Sequence, residues 1–111
     1  MAPNKSLSRR EITALFATAA RVVRHPCLDI LVAPKTQSEA RLVVITPKRT
    51  GTAPARNKVR RQLKAIFYEQ QYYLQGCDCA VIIKNMAELS FEKLKELLAE
   101  GMAKGTKCLA K

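Results

Sequence analysis

A run of cations without acids gives this chain its clearest chemical signal. Seven Lys or Arg side chains lie between Lys48 and Lys64, and no acidic residue occurs between Glu39 and Glu69. Gly51 stands in a loop ahead of a segment in which apolar and cationic residues alternate at helical spacing. Such a helix can bury one side and present dense positive charge on the other. Phosphate backbones are the usual partner, because each neutralised phosphate releases counterions. The pattern therefore predicts a nucleic-acid-binding surface.

The competing interpretation of this segment is a plain solvated helix face. Solvated basic faces usually carry Glu at a spacing of four residues, whereas Arg56, Arg60 and Lys64 repel one another at that spacing. Retained repulsion opposes local stability and therefore favours a functional surface. Asn57 adds a neutral donor and acceptor suited to phosphate, sugar or base edges. The candidate RNA-binding residues are Lys48, Arg49, Arg56, Asn57, Lys58, Arg60, Arg61 and Lys64.

The sequence offers no evident catalytic constellation. His25 is the only histidine; it precedes a proline and has no evident nucleophile or carboxylate partner. Asp29 and Asp78 both lie in strand-like runs, and the sequence leaves open whether they meet as a paired-carboxylate metal site. Gly51 stands alone, so the phosphate-cradling motif G-x-x-x-x-G-K is missing. We expect no catalytic residue, no metal or cofactor bound by the protein alone, and no small-molecule substrate.

Composition and charge describe one small basic domain. Of the 111 residues, 1–65 hold 14 Lys or Arg against three acids, whereas 66–111 hold six of each sign, so the net charge of +11 is one-sided. Charge confined to part of a chain indicates one binding surface. The sequence shows neither an apolar run of membrane-spanning length nor a secretory signal, so we expect a cytoplasmic protein without a membrane partner.

The four cysteines do not form a metal-binding pattern. Cys77-x-Cys79 is too tight for a zinc knuckle, and only one histidine is present. A disulfide framework is possible in principle. However, Cys27 and Cys79 lie in apolar, strand-like runs, where buried free thiols behave as small hydrophobes. We expect Cys27, Cys77, Cys79 and Cys108 to be reduced, as is usual in a cytoplasm.

The first half of the chain should contain a helix and two strands. Ser8 is the predicted N-cap, with Glu11 completing a capping box. Residues 27–33 and 41–46 are β-rich runs that flank a polar turn, so they are predicted to form a hairpin. Residues 48–55 are predicted to be a loop with a short edge strand. The apolar stripe of the first helix consists of Ile12, Leu15, Phe16 and Ala19.

The second half should contain two helices around a buried strand. Residues 56–74 have a helical period, and residues 78–84 are typical of a central strand. Ser90 is the predicted N-cap of a last helix. The predicted inward-facing residues are Val59, Leu63, Ile66, Phe67, Tyr73 and Leu74 in the first of these helices, and Phe91, Leu94, Leu97 and Leu98 in the second.

This order of elements predicts an α+β fold. The sequence helix–strand–strand–(short strand)–helix–strand–helix corresponds to a single-domain two-layer sandwich with a four-stranded, mostly antiparallel sheet and its helices mainly on one face. The domain spans residues 1–111. Its ends, about 1–6 and 104–111 within the tail after Gly101, are expected to fray.

Residues 55–64 resemble the signature helix of the bacterial ribonuclease P protein subunit. The family pattern is Arg-Asn-Arg, an apolar residue, Lys-Arg and a further basic residue, and Arg56, Asn57, Arg61 and Lys64 match it in identity or charge. The likeness continues through the first helix, the strand and glycine loop around Gly51, and the last strand and helix. It therefore covers nearly the whole chain, in order.

The resemblance implies a function in which the protein is not the catalyst. In that family a large RNA cleaves precursor transfer RNA at its 5′ end with Mg²⁺ bound through the RNA, as part of an endonuclease holoenzyme. The protein binds this ribonuclease P RNA through the basic helix and holds the single-stranded 5′ leader of the precursor in a cleft between sheet and first helix. A left-handed strand–helix–strand crossover is also implied, against the usual rule. The implied cleft residues are Ile12, Phe16, Leu31 and Arg41.

The chain departs from the family mainly in this cleft. Ile12 replaces the first of two phenylalanines four residues apart on the opening helix, and Leu31 stands in a strand where aromatic residues are expected. In the signature helix, Lys58 and Arg60 exchange Lys and Arg while keeping the charge; a lysine at position 58 cannot make an arginine's bidentate contact. These departures imply weaker stacking of the leader bases and a relatively larger contribution of charge contacts to leader binding.

Two other interpretations remain open from the sequence. A basic ribosomal or RNA-chaperone protein would carry the same patch without affecting cleavage of precursor transfer RNA. A stand-alone metal nuclease would need clustered carboxylates that the chain does not visibly provide.

Overall fold

A four-stranded sheet forms the centre of the molecule in the computed structural model, which describes residues 9–34, 40–72, 77–85 and 89–109. The predicted α+β class and single sheet are confirmed. Along the chain the elements are α1 (Arg9–Thr18), β1 (Ala20–Arg24), β2 (Leu28–Pro34), β3 (Leu42–Ile45), a 3₁₀ turn (Lys48–Thr50), α2 (Ala53–Glu69), β4 (Cys77–Ile83) and α3 (Phe91–Leu109).

The strand order is β1-β2-β4-β3, and two of the three pairings are antiparallel. The predicted hairpin between the strands now numbered β2 and β3 is wrong, because β4 lies between them. β4 is buried along almost its whole length, and a strand that is apolar on both faces belongs in the centre of a sheet. β3 and β4 run parallel, so the chain must cross over between them, and α2 makes that crossover.

The fourth strand is not where the sequence pattern predicted it. The expected edge strand within residues 48–55 is wrong: this stretch forms the 3₁₀ turn and then the start of α2. Pro54 fits the first turn of a helix, where no backbone donor is needed. The fourth strand is instead β1, which pairs with β2. Its register shifts between Arg21 and Val23, and this irregularity breaks the two-residue alternation by which strands are recognised.

The two longer helices cover one face of the sheet and the short α1 covers the other, so the helices lie mainly on one face, as predicted. On one face, α2 and α3 enclose the larger core, which includes Leu28, Ile30 and Val32 of β2. On the other face, α1 covers a smaller cluster that includes Leu31 and Ala33 of the same strand. The two sets alternate along β2, as the two-residue period of a strand requires. Both faces of β2 are therefore buried.

The last helix begins as predicted and extends to Leu109. The Lys93 N–H donates to the Ser90 hydroxyl at 3.1 Å, which confirms Ser90 as the N-cap. The structure gives α3 as a helix to Leu109, and the fraying expected at the end of the chain stays a prediction. Met102 is fully buried, and Gly101 packs against Ile30, so this part of the helix is held by the core. Ser8, Tyr73, Leu74 and Gly76 lie outside the described residues.

Candidate nucleic-acid interface

α2 is amphipathic as predicted, and its buried side orients the charged one. Val59, Leu63, Ile66 and Phe67 are buried against the larger core. Thr52 is the N-cap of the helix, and its hydroxyl accepts a hydrogen bond from the Ala55 N–H at 3.3 Å. Because the apolar residues face the sheet, the cations between them must face outward.

The structure places most of the predicted RNA-binding residues on an open surface. Exposed side chains belong to Lys48, Arg49, Asn57, Lys58, Arg61 and Lys64, and Arg56 and Arg60 are half-buried. We call these eight residues the basic face. Lys48 and Arg49 lie in the 3₁₀ turn that leads from β3 into α2, and the other six belong to the helix.

Two arginines of the basic face are held by hydrogen bonds from their guanidinium groups. Arg56 Nε donates to the Gly51 carbonyl at 3.2 Å, across the turn that precedes the helix. Arg60 donates to Asn57 Oδ1 at 2.9 Å, one turn back along the helix. Each guanidinium keeps further N–H donors, because the group has five. The motif asparagine therefore orients a neighbouring cation, a role that sequence reasoning did not anticipate.

The basic face lacks compensating acids within the described part of the chain. The ion pairs in that part of the chain join Arg21 and Lys84 to Asp29, and Lys104 to Glu100. None of them involves a cation of α2, and the first turn of that helix has no acidic residue. The repulsion predicted from the sequence is therefore present in the folded molecule, and an external polyanion would relieve it.

The opposite face of the sheet brings together part of the predicted cleft. Phe16 of α1 is half-buried and packs on the cluster that contains Leu31, which is 8 % exposed. Val43 of β3 and Ile82 of β4 are half-exposed members of the same cluster, and sequence reasoning missed them. They form an apolar floor that α1 does not cover completely.

The two remaining cleft candidates lie at less central positions. Ile12 is half-buried on α1, but it is not part of the cluster that joins Phe16 to Leu31. Arg41 immediately precedes β3, and its backbone N–H donates to Asp78 Oδ1 at 2.8 Å. The Arg41 carbonyl accepts from the Cys79 N–H at 2.8 Å, so its backbone is fixed on both sides.

A charged cluster on the same face of the sheet was not predicted. Asp29 is 8 % exposed and lies 3.0 Å from Lys84 Nζ and 3.5 Å from Arg21 Nε. Arg24 is the direct cross-strand neighbour of Asp29. Two cations thus contact this carboxylate, and a third lies opposite it in the β1–β2 ladder. The cluster could not be found from the sequence, because β1 was not recognised as a strand.

Asp29 and Asp78 do not form a paired carboxylate site. In the β2–β4 ladder Asp29 pairs with Ile82 and Asp78 with Ala33, so four residue pairs separate the two acids. At about 3.4 Å per residue this is about 14 Å along the strands, too far to hold one metal ion. Among the described residues, no group of three or more His, Cys, Asp or Glu side chains is arranged to hold a metal.

The single histidine and the described cysteines have contacts and burial that are typical of structural residues. The Cys27 N–H donates to His25 Nδ1 at 3.0 Å within the β1–β2 turn. Cys27, Cys77 and Cys79 are buried free thiols. Burial raises the pKa of Cys79 far above its ordinary value, and burial followed by the charge of Asp78 raises the pKa of Cys77. Thiols held protonated in this way are poor nucleophiles.

Comparison with known proteins decides the family. The family model described as Ribonuclease P matches residues 1–105. The chain is also 32% identical over 97 residues to the ribonuclease P protein component of Shouchella clausii (strain KSM-K16), an alignment that covers 86% of this chain and 80% of that protein. This chain belongs to the ribonuclease P protein family. Family membership implies an RNA partner and a place in transfer RNA processing.

Solved ribonuclease P proteins have the same fold. The Staphylococcus aureus RNase P protein superposes with a TM-score of 0.76 at 16% identity, over 95% of this chain and 99% of that one. The RNase P protein from Thermotoga maritima superposes with a TM-score of 0.72 at 20% identity, over 93% and 96%. Among the described residues, none of the helices is both long and apolar enough to cross a membrane.

Proposed function

We propose that this ribonuclease P protein binds the catalytic RNA of a bacterial ribonuclease P through its basic face. The observation that carries the proposal is α2: a helix fastened to the core by Val59, Leu63, Ile66 and Phe67 and carrying outward cations with no acidic residue before Glu69. The two oriented arginines, Arg56 and Arg60, present donors in a fixed position, which suits phosphate oxygens.

The 5′ leader of precursor transfer RNA is the proposed ligand of the opposite sheet face. Phe16 supplies an aromatic ring beside Leu31, and the half-exposed Val43 and Ile82 extend the apolar floor. Arg21, Arg24 and Lys84 add positive charge around Asp29 on this same face. A single strand needs this combination, because bases stack on apolar or aromatic surface while cations follow the backbone.

Bond cleavage in this proposal belongs to the RNA and to Mg²⁺ held by the RNA. Asp29 and Asp78, the buried carboxylates among the described residues, already have other partners: Asp29 contacts Arg21 and Lys84, and Asp78 accepts from the Arg41 N–H. The donor set of the described residues therefore fits a binding subunit better than a metal nuclease. The protein contributes by bringing together two polyanions, the catalytic RNA and the precursor transfer RNA. It would act in the bacterial cytoplasm.

The experiment is a cleavage assay on precursor transfer RNA with and without a bacterial ribonuclease P RNA. We expect the protein alone to leave the substrate intact, and to accelerate cleavage by the RNA chiefly at low Mg²⁺, where repulsion between the two RNAs is least screened. A ribosomal or RNA-chaperone protein would bind RNA without this acceleration. Cleavage by the protein alone would support a nuclease.

A further inference from the structure

The structure contains an open groove on the side of α2 that faces the start of α3. Its volume is about 460 Å³. The lining residues, which define what we call the α2–α3 groove, are Ala55, Lys58, Val59, Gln62, Leu89, Ser90 and Phe91. Neither the basic face nor the cleft beneath α1 accounts for this groove, although it shares Lys58 with the basic face.

We propose that the α2–α3 groove receives one unpaired nucleotide of the RNA partner, with its base stacked on Phe91. The proposal rests on the proposed function for the identity of that RNA. A groove of this size is within the range that holds a ligand as large as a nucleotide. Sequence-specific recognition of RNA mostly targets unpaired bases, which stack on aromatic side chains and are read at their edges.

The walls of the groove have the composition that a base requires. Val59 is buried and forms apolar floor, while Leu89 and Phe91 are only partly buried and present apolar surface to the opening. Phe91 thus packs on the core with part of its ring and keeps the rest exposed. A partly exposed aromatic side chain beside buried apolar surface can serve as a stacking platform for a base.

Polar groups at the rim can read the edge of such a base. Gln62 is half-buried, and its side-chain amide makes no hydrogen bond within the described part of the chain, so its donors and its acceptor are available. The Ser90 oxygen accepts from the Lys93 N–H at 3.1 Å, so its hydroxyl proton is left to donate outward. The groove therefore has, on each wall, one side chain that can form a hydrogen bond with the edge of a base.

Charge sets the direction in which the nucleotide lies. Lys58 is exposed at the α2 wall, and Arg61 is exposed one helical turn further along. On the α3 side the charges near Phe91 are mixed, because the exposed Glu92 follows it and the exposed Lys95 lies one helical turn further along. The backbone of the RNA is thus favoured on the α2 side, continuous with the basic face, and the base points toward Phe91. The partly exposed Phe91 argues for RNA over an acidic peptide, because such a peptide could contact the cations but has no base to stack on the ring.

The test compares full-length variants in binding to a transcribed bacterial ribonuclease P RNA. Phe91→Leu keeps apolar volume but removes the aromatic face, and Phe91→Tyr keeps the ring. We expect Phe91→Leu to weaken binding about tenfold, the order expected from one base stack, without changing the salt dependence, because no phosphate contact is lost. Phe91→Tyr should bind like the parent. Gln62→Ala, at a half-exposed position, should weaken binding about threefold to tenfold. It replaces Phe91→Leu as the test of the groove if that variant does not fold.

Chemical footprinting of the RNA supplies the direct readout. The parent protein and Phe91→Tyr should protect one unpaired nucleotide that Phe91→Leu leaves reactive. Equal affinity and equal protection for the parent and Phe91→Leu would overturn the proposal while leaving the proposed function intact. Failure of the parent to bind this RNA would overturn both. A parent dimer that Phe91→Leu dissociates, seen by sedimentation in the absence of RNA, would assign the groove to a second copy and overturn it as well.

Discussion

Gly101 of α3 lies against Ile30 of β2 so closely that a side chain at this glycine has no space. A Cβ atom built on Gly101 would stand 2.9 Å from Ile30 Cγ2 and 3.1 Å from Ile30 Cδ1. One turn later, a Cβ on Gly105 would stand 2.8 Å from Val32 Cγ1. Both partners are fully buried and β-branched, so they have little rotamer freedom to move away. The two glycines let α3 approach the sheet.

We therefore expect Gly101→Ala to lower the free energy of unfolding by up to about 2 kcal/mol in denaturant titration. Overpacking a rigid core costs about 1–3 kcal/mol, and the better helix propensity of Ala returns only about 1 kcal/mol. The matched control is Ala103→Gly at an exposed position of α3, which should lose about 1 kcal/mol through propensity alone. A Gly101→Ala protein more stable than the parent would contradict the close contact.

Replacing Arg60 and Arg61 with Ala should weaken binding to ribonuclease P RNA and flatten its salt dependence. Each lost phosphate contact should change the slope by about 0.7–0.9 log units per log salt. Arg61 is exposed and Arg60 is oriented by Asn57, so both can reach an external phosphate. Lys104→Ala, which removes an exposed charge of α3 more than three turns beyond Phe91, is the control and should leave the slope near that of the parent. An unchanged slope in the double variant would exclude direct phosphate contact.

Phe16→Ala should separate a leader-binding role from a purely structural one. Phe16 is half-buried at the edge of its cluster, so we expect the fold to survive with a loss of about 1–3 kcal/mol, less than a full core deletion. Affinity for precursor with a leader should fall by about 1–3 kcal/mol, the value of one stacked base, and affinity for mature transfer RNA should not. Phe67→Ala is the contrast: Phe67 is 0 % exposed, and its removal should cost about 3–5 kcal/mol. Equal losses for both RNAs would remove Phe16 from the leader site.

His25→Ala, Asp29→Asn and Asp78→Asn should each keep the single-turnover cleavage rate of the reconstituted complex within about threefold of the parent. The measurement is made at saturating protein and Mg²⁺, where binding defects do not limit the rate. Loss of a general acid or base would instead cost about 10²–10⁴. Asp29 and Asp78 support ion pairs and a backbone hydrogen bond, so folding is checked separately by circular dichroism. A hundredfold slower chemical step in a folded variant would require a catalytic role for the protein.

Stability should fall as the pH rises above about 9. Burial raises the pKa of Cys77 and Cys79 above the ordinary value of 9.0, so these thiols stay protonated in the folded chain while they ionise in the unfolded one. The unfolded state then binds fewer protons, and the free energy of unfolding decreases by up to about 1.4 kcal/mol per pH unit for each thiol. Cys79→Ala should show a shallower decline than the parent between pH 9 and 10. Identical slopes would mean that Cys79 ionises equally in both states.

The sequence by itself determined the two sides of α2 and the start of α3. Val59 and Leu63 alternate with cations at helical spacing, so the inward and outward directions follow from local geometry. Ser90 caps α3 through a hydrogen bond to a residue three positions away, which is also local. The signature residues 55–64 were enough to predict the family, because their types and order are unusual.

Only the tertiary structure decided which strands are neighbours and what their side chains meet. Periodicity shows which side of a strand is apolar, but pairing is set by contacts between distant segments. The sequence pattern therefore left open that Asp29 and Asp78 stand four residue pairs apart, and that Arg21 and Lys84 converge on Asp29. The α2–α3 groove arises in the same way, because Gln62 and Phe91 are brought together by the packing of two helices on one sheet.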